Sequence, residues 1–277
     1  MKKFWYFCAL NLTMKKHLIA LLFTLIGGFS SYSQTAEVGV FGGLTYYLGD
    51  INPGIHFLMS KPAYGFLARV NLDSRWTVKG NYYTGTIRGD DRTGRTNSLR
   101  NLNFESKIRD IAGTVEFNFF DYMTGSRKNI LTPYIFGGIG MVIFNPVSNG
   151  ERLKDVGTEG QNIGFDGREP YNLVAFTIPF GIGFKYSLNR RFSVTGEWGL
   201  RKSFTDYLDD VSTTYYLDGS SITTPEELLS DPTRLHQPMQ ERGDPSTDDW
   251  YNFSGLTLTY KFRLYNKNKC PNEWKEK

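Results

Sequence analysis

The chain has 277 residues, with 32 basic and 28 acidic side chains and a mean hydropathy of −0.38. Residues 1–33 contain four lysines and no acid, so the remaining 244 residues carry no net formal charge. This balance excludes the strongly basic class of nucleic-acid-binding proteins, and the length suits one domain.

The first 33 residues have the composition of a secretory signal peptide. A basic start at 14–17 precedes an almost wholly apolar run at 18–26, and small residues lead to a cleavage position before Gln34. The apolar run is too short to cross a membrane as a helix. Because Met14 already begins a complete signal, we interpret residues 1–13 as an over-extended gene start.

Alternation of apolar with small or polar residues predicts eight β-strands after the signal peptide. In the sixth, Phe176, Ile178 and Phe180 share one face, while Thr177 and Gly181 lie on the other. The predicted strands, in chain order, are 37–48, 62–72, 75–88, 106–120, 132–144, 175–188, 191–204 and 249–263.

The last strand has the clearest pattern. Leu256, Leu258, Tyr260 and Phe262 lie on one face, and Lys261 lies with small residues on the other. Lipid-facing strands of outer-membrane barrels have this pattern, with the polar side towards the lumen. The stretch also resembles the terminal signal by which bacterial outer-membrane barrels are recognised for insertion.

The links between these strands differ in length. Those at 73–74 and 188–190 are tight turns and that at 121–131 is of moderate length, whereas the others are longer and polar. We therefore predict an all-β fold, an eight-stranded antiparallel transmembrane β-barrel with a closed lumen, short periplasmic turns and long extracellular loops. It would occupy residues 34–264 in the outer membrane of a Gram-negative cell, with both ends and a tail at 265–277 in the periplasm.

Charged side chains of both signs are predicted to face the lumen. An eight-stranded barrel has an interior that side chains can fill, so these charges should pair and replace an apolar core. The base nearest to Glu197 would be Arg201 or Lys261. The alternative is a conducting channel or proton path along the same groups. The predicted lumen charge network comprises Arg69, Lys79, Glu116, Lys185, Glu197, Arg201 and Lys261, with Asp110 on the same side.

The sequence offers little for catalysis or metal binding. His56 and His236 lie in predicted loops without a neighbouring cysteine or paired histidine, so we predict no metal site and no cofactor. Three acids at 206–210 could hold calcium or could simply begin a solvated loop. A lipid-modifying barrel needs a nucleophile and base at the membrane rim, and no such pair occurs in a predicted strand. We therefore predict no enzyme activity and no catalytic residue.

Cys270 is the one cysteine left after removal of the signal peptide. It follows the last strand, in the predicted periplasmic tail. An odd cysteine in an exported protein indicates either an intermolecular disulfide or a free thiol, and both interpretations stay open here.

Several short motifs together resemble the PorG-type barrel of the type IX secretion system of Bacteroidetes. Their order and spacing along about 230 residues carry the resemblance more than any single motif. They are GVFGG at 39–43, YLGDI at 47–51, SKPAYG at 60–65, EFNFFD at 116–121, TPY at 132–134, IPFGIG at 178–183, FTDYLD at 204–209, DWY at 249–251, FSG at 253–255 and CP at 270–271.

This resemblance implies an outer-membrane anchor that attaches a periplasmic ring built from a lipoprotein and a partner protein. Under that hypothesis, Cys270 ties the barrel to the lipoprotein, and the other partner is outer-membrane lipid, with no nucleic acid. Two other functions stay open: a surface-structural or adhesion barrel that uses its loops, and, less favoured, a lipid-modifying enzyme.

Overall fold

The computed structural model describes residues 35–94, 97 and 99–263, so the predicted signal peptide and tail lie outside the described residues. Ten strands form one sheet, and eight of them are long. The strands are β1 (Thr35–Leu48), β2 (Lys61–Asn71), β3 (Trp76–Asp90), β4 (Asn103–Asn118), β5 (Leu131–Ile143), β6 (Pro146–Ser148), β7 (Glu151–Arg152), β8 (Val174–Ser187), β9 (Phe192–Ser203) and β10 (Trp250–Arg263).

The sheet closes into a barrel. Each long strand pairs antiparallel with the next long strand along the chain, and β1 pairs with β10 from Thr35 opposite Arg263 to Leu48 opposite Trp250. The short strands β6 and β7 form a hairpin that extends β4 beyond the barrel. The predicted closed eight-stranded antiparallel barrel is therefore confirmed, and the strand bounds differ from the predicted ones by at most three residues.

The two ends of the barrel differ, because long and short links alternate along the chain. At the turn end, the links are residues 72–75, 119–130 and 188–191. At the loop end, four loops connect the strands: L1 (49–60), L2 (91–102), L3 (144–173) and L4 (204–249). L3 and L4 are longer than any link at the turn end. The loops contain two short helices, α1 (Asp91–Gly94) and α2 (Leu153–Val156). Among the residues that the structure describes, no helix has the length and apolar character to cross a membrane.

The exterior of the barrel is apolar along the long strands. Side chains alternate between exposed and buried, as in β8, because successive residues of a strand point to opposite sides of the sheet. A continuous exposed apolar surface of this kind is the pattern of a strand wall that faces lipid. Exposed apolar residues on this surface include Val38, Val40, Phe66, Val78, Ile111, Val115, Ile135, Ile139, Met141, Phe176, Ile182, Phe184, Leu256, Leu258 and Phe262.

Two aromatic residues on the outer face of the barrel are covered by a loop. Tyr46 lies on the apolar side of β1 but is only 1% exposed, because L1 folds back over the outer wall. His56 Nδ1 lies 2.9 Å from the Tyr46 hydroxyl, and Trp198 Nε1 donates to the same hydroxyl at 3.2 Å. Trp198 is consequently half-buried. Both side chains therefore lie on the outer face of the barrel beneath residues of L1.

Inward glycines make room for inward aromatic rings. A Cβ at Gly183 would lie 2.6 Å from the Tyr134 ring, and one at Gly199 would lie 2.7 Å from the Phe136 ring. Since neither distance leaves space for another carbon atom, large side chains on β5 depend on the absence of side chains on β8 and β9. Layers of large and small residues thus fill the narrow interior.

The interior has two parts. Near the loop end, buried aromatic and aliphatic side chains form a core, with Phe41 stacked on Tyr83 at 4.3 Å between ring centroids. Towards the turn end, buried charged side chains take over. Phe253 on β10 packs against both Phe41 and Tyr83 and lies where the two parts meet.

Candidate functional site

Six of the seven residues of the predicted lumen charge network lie together inside the barrel. All six are at most 5% exposed. The inward positions of five strands bring them together. They are Arg69 on β2, Lys79 on β3, Glu116 on β4, Lys185 on β8, and Glu197 and Arg201 on β9.

Glu116 is the centre of this network. Its Oε1 lies 3.1 Å from Arg69 Nε and 3.4 Å from Lys79 Nζ, and its Oε2 lies 2.7 Å from Lys185 Nζ. One carboxylate therefore faces three bases from three other strands. A buried charge of this kind is tolerated because its partners are held by the barrel wall.

Glu197 forms a second centre with a partner that the sequence did not indicate. Its Oε2 lies 2.5 Å from Lys79 Nζ and accepts a hydrogen bond from the Tyr134 hydroxyl at 3.0 Å. Arg201, on the same strand, is farther, with Nη2 at 3.9 Å from Oε1. The prediction of Arg201 or Lys261 as the nearest base is thus wrong, because a partner across the narrow lumen comes closer than one along the strand.

Two further acids complete the interior. Asp110 accepts hydrogen bonds from the Tyr251 hydroxyl at 2.7 Å and from Asn81 Nδ2 at 3.0 Å. Glu37 accepts from the Thr124 hydroxyl at 2.6 Å and from Thr259 at 3.0 Å. Sequence reasoning missed Glu37, although its position before the outward Val38 was a usable signal. With the six residues above, these acids give four bases and four carboxylates, so the lumen charge is balanced.

Aromatic rings close the spaces between the charges. Lys79 Nζ lies 4.5 Å from the centre of the Phe136 ring, and the Arg201 guanidinium lies 4.8 Å from that of Phe253. Cation–π contacts of this kind stabilise a desolvated base. Ion pairs and aromatic rings therefore pack together and fill this part of the interior.

The remaining predicted site residues lie elsewhere. Lys261 is on the inward side of β10, but close to the strand's end, where it is half-buried and lines a groove with Arg190 and Arg191. Cys270 lies outside the described residues. His236 Nδ1 is 2.9 Å from Asp231 Oδ1, and its ring stacks on Tyr215. In the described part of the chain, no group of three His, Cys, Asp or Glu residues has a geometry that could hold a metal ion.

A second polar cluster, in the loops, was not predicted. The Tyr47 hydroxyl, at the loop end of β1, donates to Asp209 in L4 and to Asp249 Oδ1 at 2.9 Å. The other Asp249 oxygen accepts from the Leu208 amide at 2.8 Å. Asp50, in L1, accepts from the Asp244 amide of L4 at 3.0 Å. These bonds hold the loops over the mouth of the barrel as a folded cap.

Burial dominates the acid–base properties of this cap. Burial, with a smaller contribution from neighbouring carboxylates, raises the pKa of Asp209 to about 8 and that of Asp206 to about 9. Burial is also the main reason why the pKa of Asp50 is raised to about 6. These carboxyl groups therefore tend to be protonated where an ordinary aspartate is charged.

Two arginines stabilise the other side of the cap. Arg242 Nη1 lies 3.0 Å from Glu159 Oε1, and that carboxylate also accepts from the amide of Ser212 at 2.9 Å. Arg100 Nη2 lies 2.7 Å from Asp91 Oδ1, and Arg100 also donates to the Arg242 carbonyl at 2.5 Å. L2, L3 and L4 are thereby connected through buried charged groups. No local sequence pattern could predict these contacts, because they join residues far apart in the chain.

Comparison with known proteins identifies a family. A family model described as "Domain of unknown function (DUF6089)" matches residues 16–271. No curated protein matches the chain.

Solved structures similar to this chain are outer-membrane proteins. Ail, the attachment invasion locus protein of Yersinia pestis, is 10% identical, with 83% of this chain and 100% of that chain covered and a TM-score of 0.43. The Neisserial surface protein A (NspA) is 6% identical, with coverages of 83% and 98% and a TM-score of 0.41. OprG from Pseudomonas aeruginosa is 10% identical, with coverages of 84% and 97% and a TM-score of 0.37.

Proposed function

The chain belongs to the DUF6089 family, and we propose that it is a non-enzymatic outer-membrane barrel that anchors a protein-secretion complex. The observation that carries this proposal is the closed lumen, in which Glu116 faces three bases and aromatic rings fill the remaining space. A packed, charge-balanced interior suits an anchor better than a pore. The apolar exterior of the long strands supports a position in the lipid bilayer.

The turn end is the periplasmic end in this proposal. Two of its three links are tight turns, and β1 begins and β10 ends there, so a tail after β10 would emerge on the same side. Short turns offer little surface for a stable partner, since standard interfaces bury roughly 800 Å² on each partner. A covalent connection through Cys270 would supplement such a small surface.

The resemblance to PorG-type barrels supplies the partner class. We propose that a periplasmic lipoprotein of a type IX-like secretion ring binds at the turn end and forms a disulfide with Cys270. The matched family describes no role, so the secretion function rests on the motifs of the sequence and on the suitability of the closed barrel as an anchor.

A non-reducing gel of native envelopes tests the covalent connection. We expect a reducible band of higher mass that contains the barrel and disappears in Cys270→Ser, while the variant still inserts into the outer membrane. Asn272→Ser is the matched control, because it changes the same tail and keeps the thiol. Migration of the parent protein only at its monomer mass would contradict the disulfide.

Deletion of the gene tests the secretion role itself. We expect the loss of exported proteins from the culture medium and the release of ring proteins from the outer-membrane fraction. Intact secretion after deletion would exclude the anchor function, whatever the state of Cys270.

A surface role is the second candidate, and the folded cap favours it. Four loops form one hydrogen-bonded structure at the end opposite the periplasmic turns, which is a suitable platform for adhesion. Under this alternative, deletion strains would secrete normally but lose attachment to surfaces. Comparison of secretion and attachment in one deletion strain therefore separates the two candidates.

A further inference from the structure

A groove of about 600 Å³ lies at the turn end of the barrel, on its outer edge. The 119–130 link, the 188–191 link and the last residues of β10 surround it. Its lining combines bases with aromatic residues: Gly125, Arg190, Arg191, Tyr260, Lys261 and Phe262.

Close backbone contacts build this groove. Gly125 has a φ of +86°, and a Cβ at this position would lie 2.6 Å from the Arg190 carbonyl oxygen. The Gly125 amide donates to the Ser187 hydroxyl at 2.8 Å, and the Lys261 amide donates to the Arg191 carbonyl at 2.7 Å. The two links and β10 are therefore held together, so the groove is a built feature of the turn end.

The groove is strongly basic. Arg190 and Arg191 are exposed, and the adjoining link adds exposed Arg127 and Lys128. Among the described residues, none of these four side chains forms an ion pair with a carboxylate, whereas Arg75 at the same end pairs with Asp121 at 3.1 Å. This excess of positive charge favours the binding of an anion.

The groove also opens onto the apolar exterior. Tyr260 and Phe262 point outward and are 37% and 39% exposed, and the Phe192 ring packs against Tyr260 at 5.3 Å. Arg191 Nη1 lies 3.4 Å from the Tyr260 hydroxyl, so the bases begin where the apolar wall ends. Aromatic side chains at this level mark the boundary between lipid tails and headgroups in membrane barrels.

We propose that this groove binds the phosphate of an anionic phospholipid from the leaflet at the turn end. Arg190 and Arg191 would contact the phosphate oxygens, since a guanidinium donates paired hydrogen bonds to phosphate. The acyl chains would lie along Tyr260 and Phe262. A lipid suits the site better than an acidic protein segment because the groove lies on the lipid-facing edge and two of its walls are membrane-facing aromatics.

This inference rests on the membrane-barrel part of the proposed function and is independent of the secretion role. The test uses the full mature barrel, reconstituted and analysed by native mass spectrometry with phosphatidylglycerol, phosphatidylcholine or lipopolysaccharide. We expect the parent to retain phosphatidylglycerol in preference to phosphatidylcholine. In Arg190→Gln/Arg191→Gln, affinity for phosphatidylglycerol should fall by at least about tenfold, as expected for the loss of charge-assisted hydrogen bonds.

The matched control is Arg88→Gln/Arg109→Gln, which removes two arginines from the loop-end half of β3 and β4. It should retain phosphatidylglycerol as the parent does. Heat-modifiable gel mobility shows whether each variant is folded and inserted. Failure of the parent to insert would refute the membrane barrel. Insertion without a preference for phosphatidylglycerol would overturn only the proposal that the groove binds this lipid.

Three further outcomes would also overturn the proposal. Equal retention by the parent and the groove variant would show that these arginines do not bind the lipid. Selective loss of lipopolysaccharide in that variant would assign the phosphate to the other leaflet. A photo-crosslinker at position 190 that captures protein and no lipid would identify the groove as a protein-docking site instead.

Discussion

Glu116 illustrates how a single buried charge depends on its surroundings. Three bases from β2, β3 and β8 lie within 3.4 Å of its carboxylate. Removal of this acid leaves Arg69, Lys79 and Lys185 close together in a desolvated space. Such a loss costs more than the ion pairs themselves contribute, because the remaining charges cannot be solvated.

We therefore expect Glu116→Gln to lower the free energy of unfolding by about 3–5 kcal/mol, the range for breaking a buried pair by removing one partner. Urea unfolding of the reconstituted barrel, followed by gel mobility, measures the change. Glu105→Gln is the control, since Glu105 lies on the same strand and is exposed. Equal stability of the two variants would mean that the network contributes little.

The raised pKa of Asp206 predicts that the stability of the cap depends on pH. Burial raises its pKa from 3.8 to about 9, with Asp209, Asp50 and Glu159 adding repulsion. The closed cap therefore holds a proton that an opened loop would release. The stability this proton contributes is complete below pH about 4 and is lost as the pH rises through about 9.

Hydrogen–deuterium exchange of L4, corrected for intrinsic exchange rates, should thus show a less protected cap at pH 9 than at pH 5.5. Asp206→Asn should remove much of this difference, because the amide stays neutral across the range. Asp166→Asn is the control, as Asp166 is exposed in L3. Unchanged pH dependence in Asp206→Asn would exclude this carboxyl group as the cause.

At the scale of the strand, β9 has two glycines with different surroundings. A Cβ at the inward Gly199 would lie 2.7 Å from the Phe136 ring, whereas one at Gly196 meets only Leu256 Cδ2, at 3.7 Å. The same residue type thus serves two purposes on one strand. Gly199 leaves space for the Phe136 ring, whereas a side chain at Gly196 would make only an ordinary van der Waals contact on the outer wall.

Gly199→Val should consequently destabilise the barrel by about 1–3 kcal/mol, the usual cost of overpacking. Gly196→Val, on the same strand, should be close to neutral or slightly stabilising, because valine favours strands. Unfolding midpoints of the two variants in the same lipid give the comparison. A larger loss in Gly196→Val would contradict the packing of β5 against β9.

At the scale of the whole molecule, the narrow barrel determines what the interior can do. Eight strands enclose a space that side chains can fill. Here ion pairs occupy the half near the turn end, aromatic residues occupy the half near the loop end, and the cap covers the mouth.

We expect no steady ion conductance from the purified parent in planar bilayers. A variant with Lys79, Glu116 and Glu197 replaced by alanine removes the centre of the plug and, where it still folds, should conduct intermittently. Large, steady conductance of the parent would contradict a closed lumen. The Glu105→Gln protein serves as the control for contaminating porins.

The sequence by itself determined the strand number, the closed barrel and the face on which most side chains lie, because a strand's period of two is local. It also determined that charges of both signs would share the lumen. Only the tertiary structure decided the pairing, such as Lys79 with Glu197, because a carboxylate meets its base across the lumen and not along its strand. The covering of Tyr46 by L1 and the cap around Asp209 were likewise beyond sequence reasoning. Loop contacts join residues far apart in the chain, and their geometry depends on the closed wall that brings the loops together.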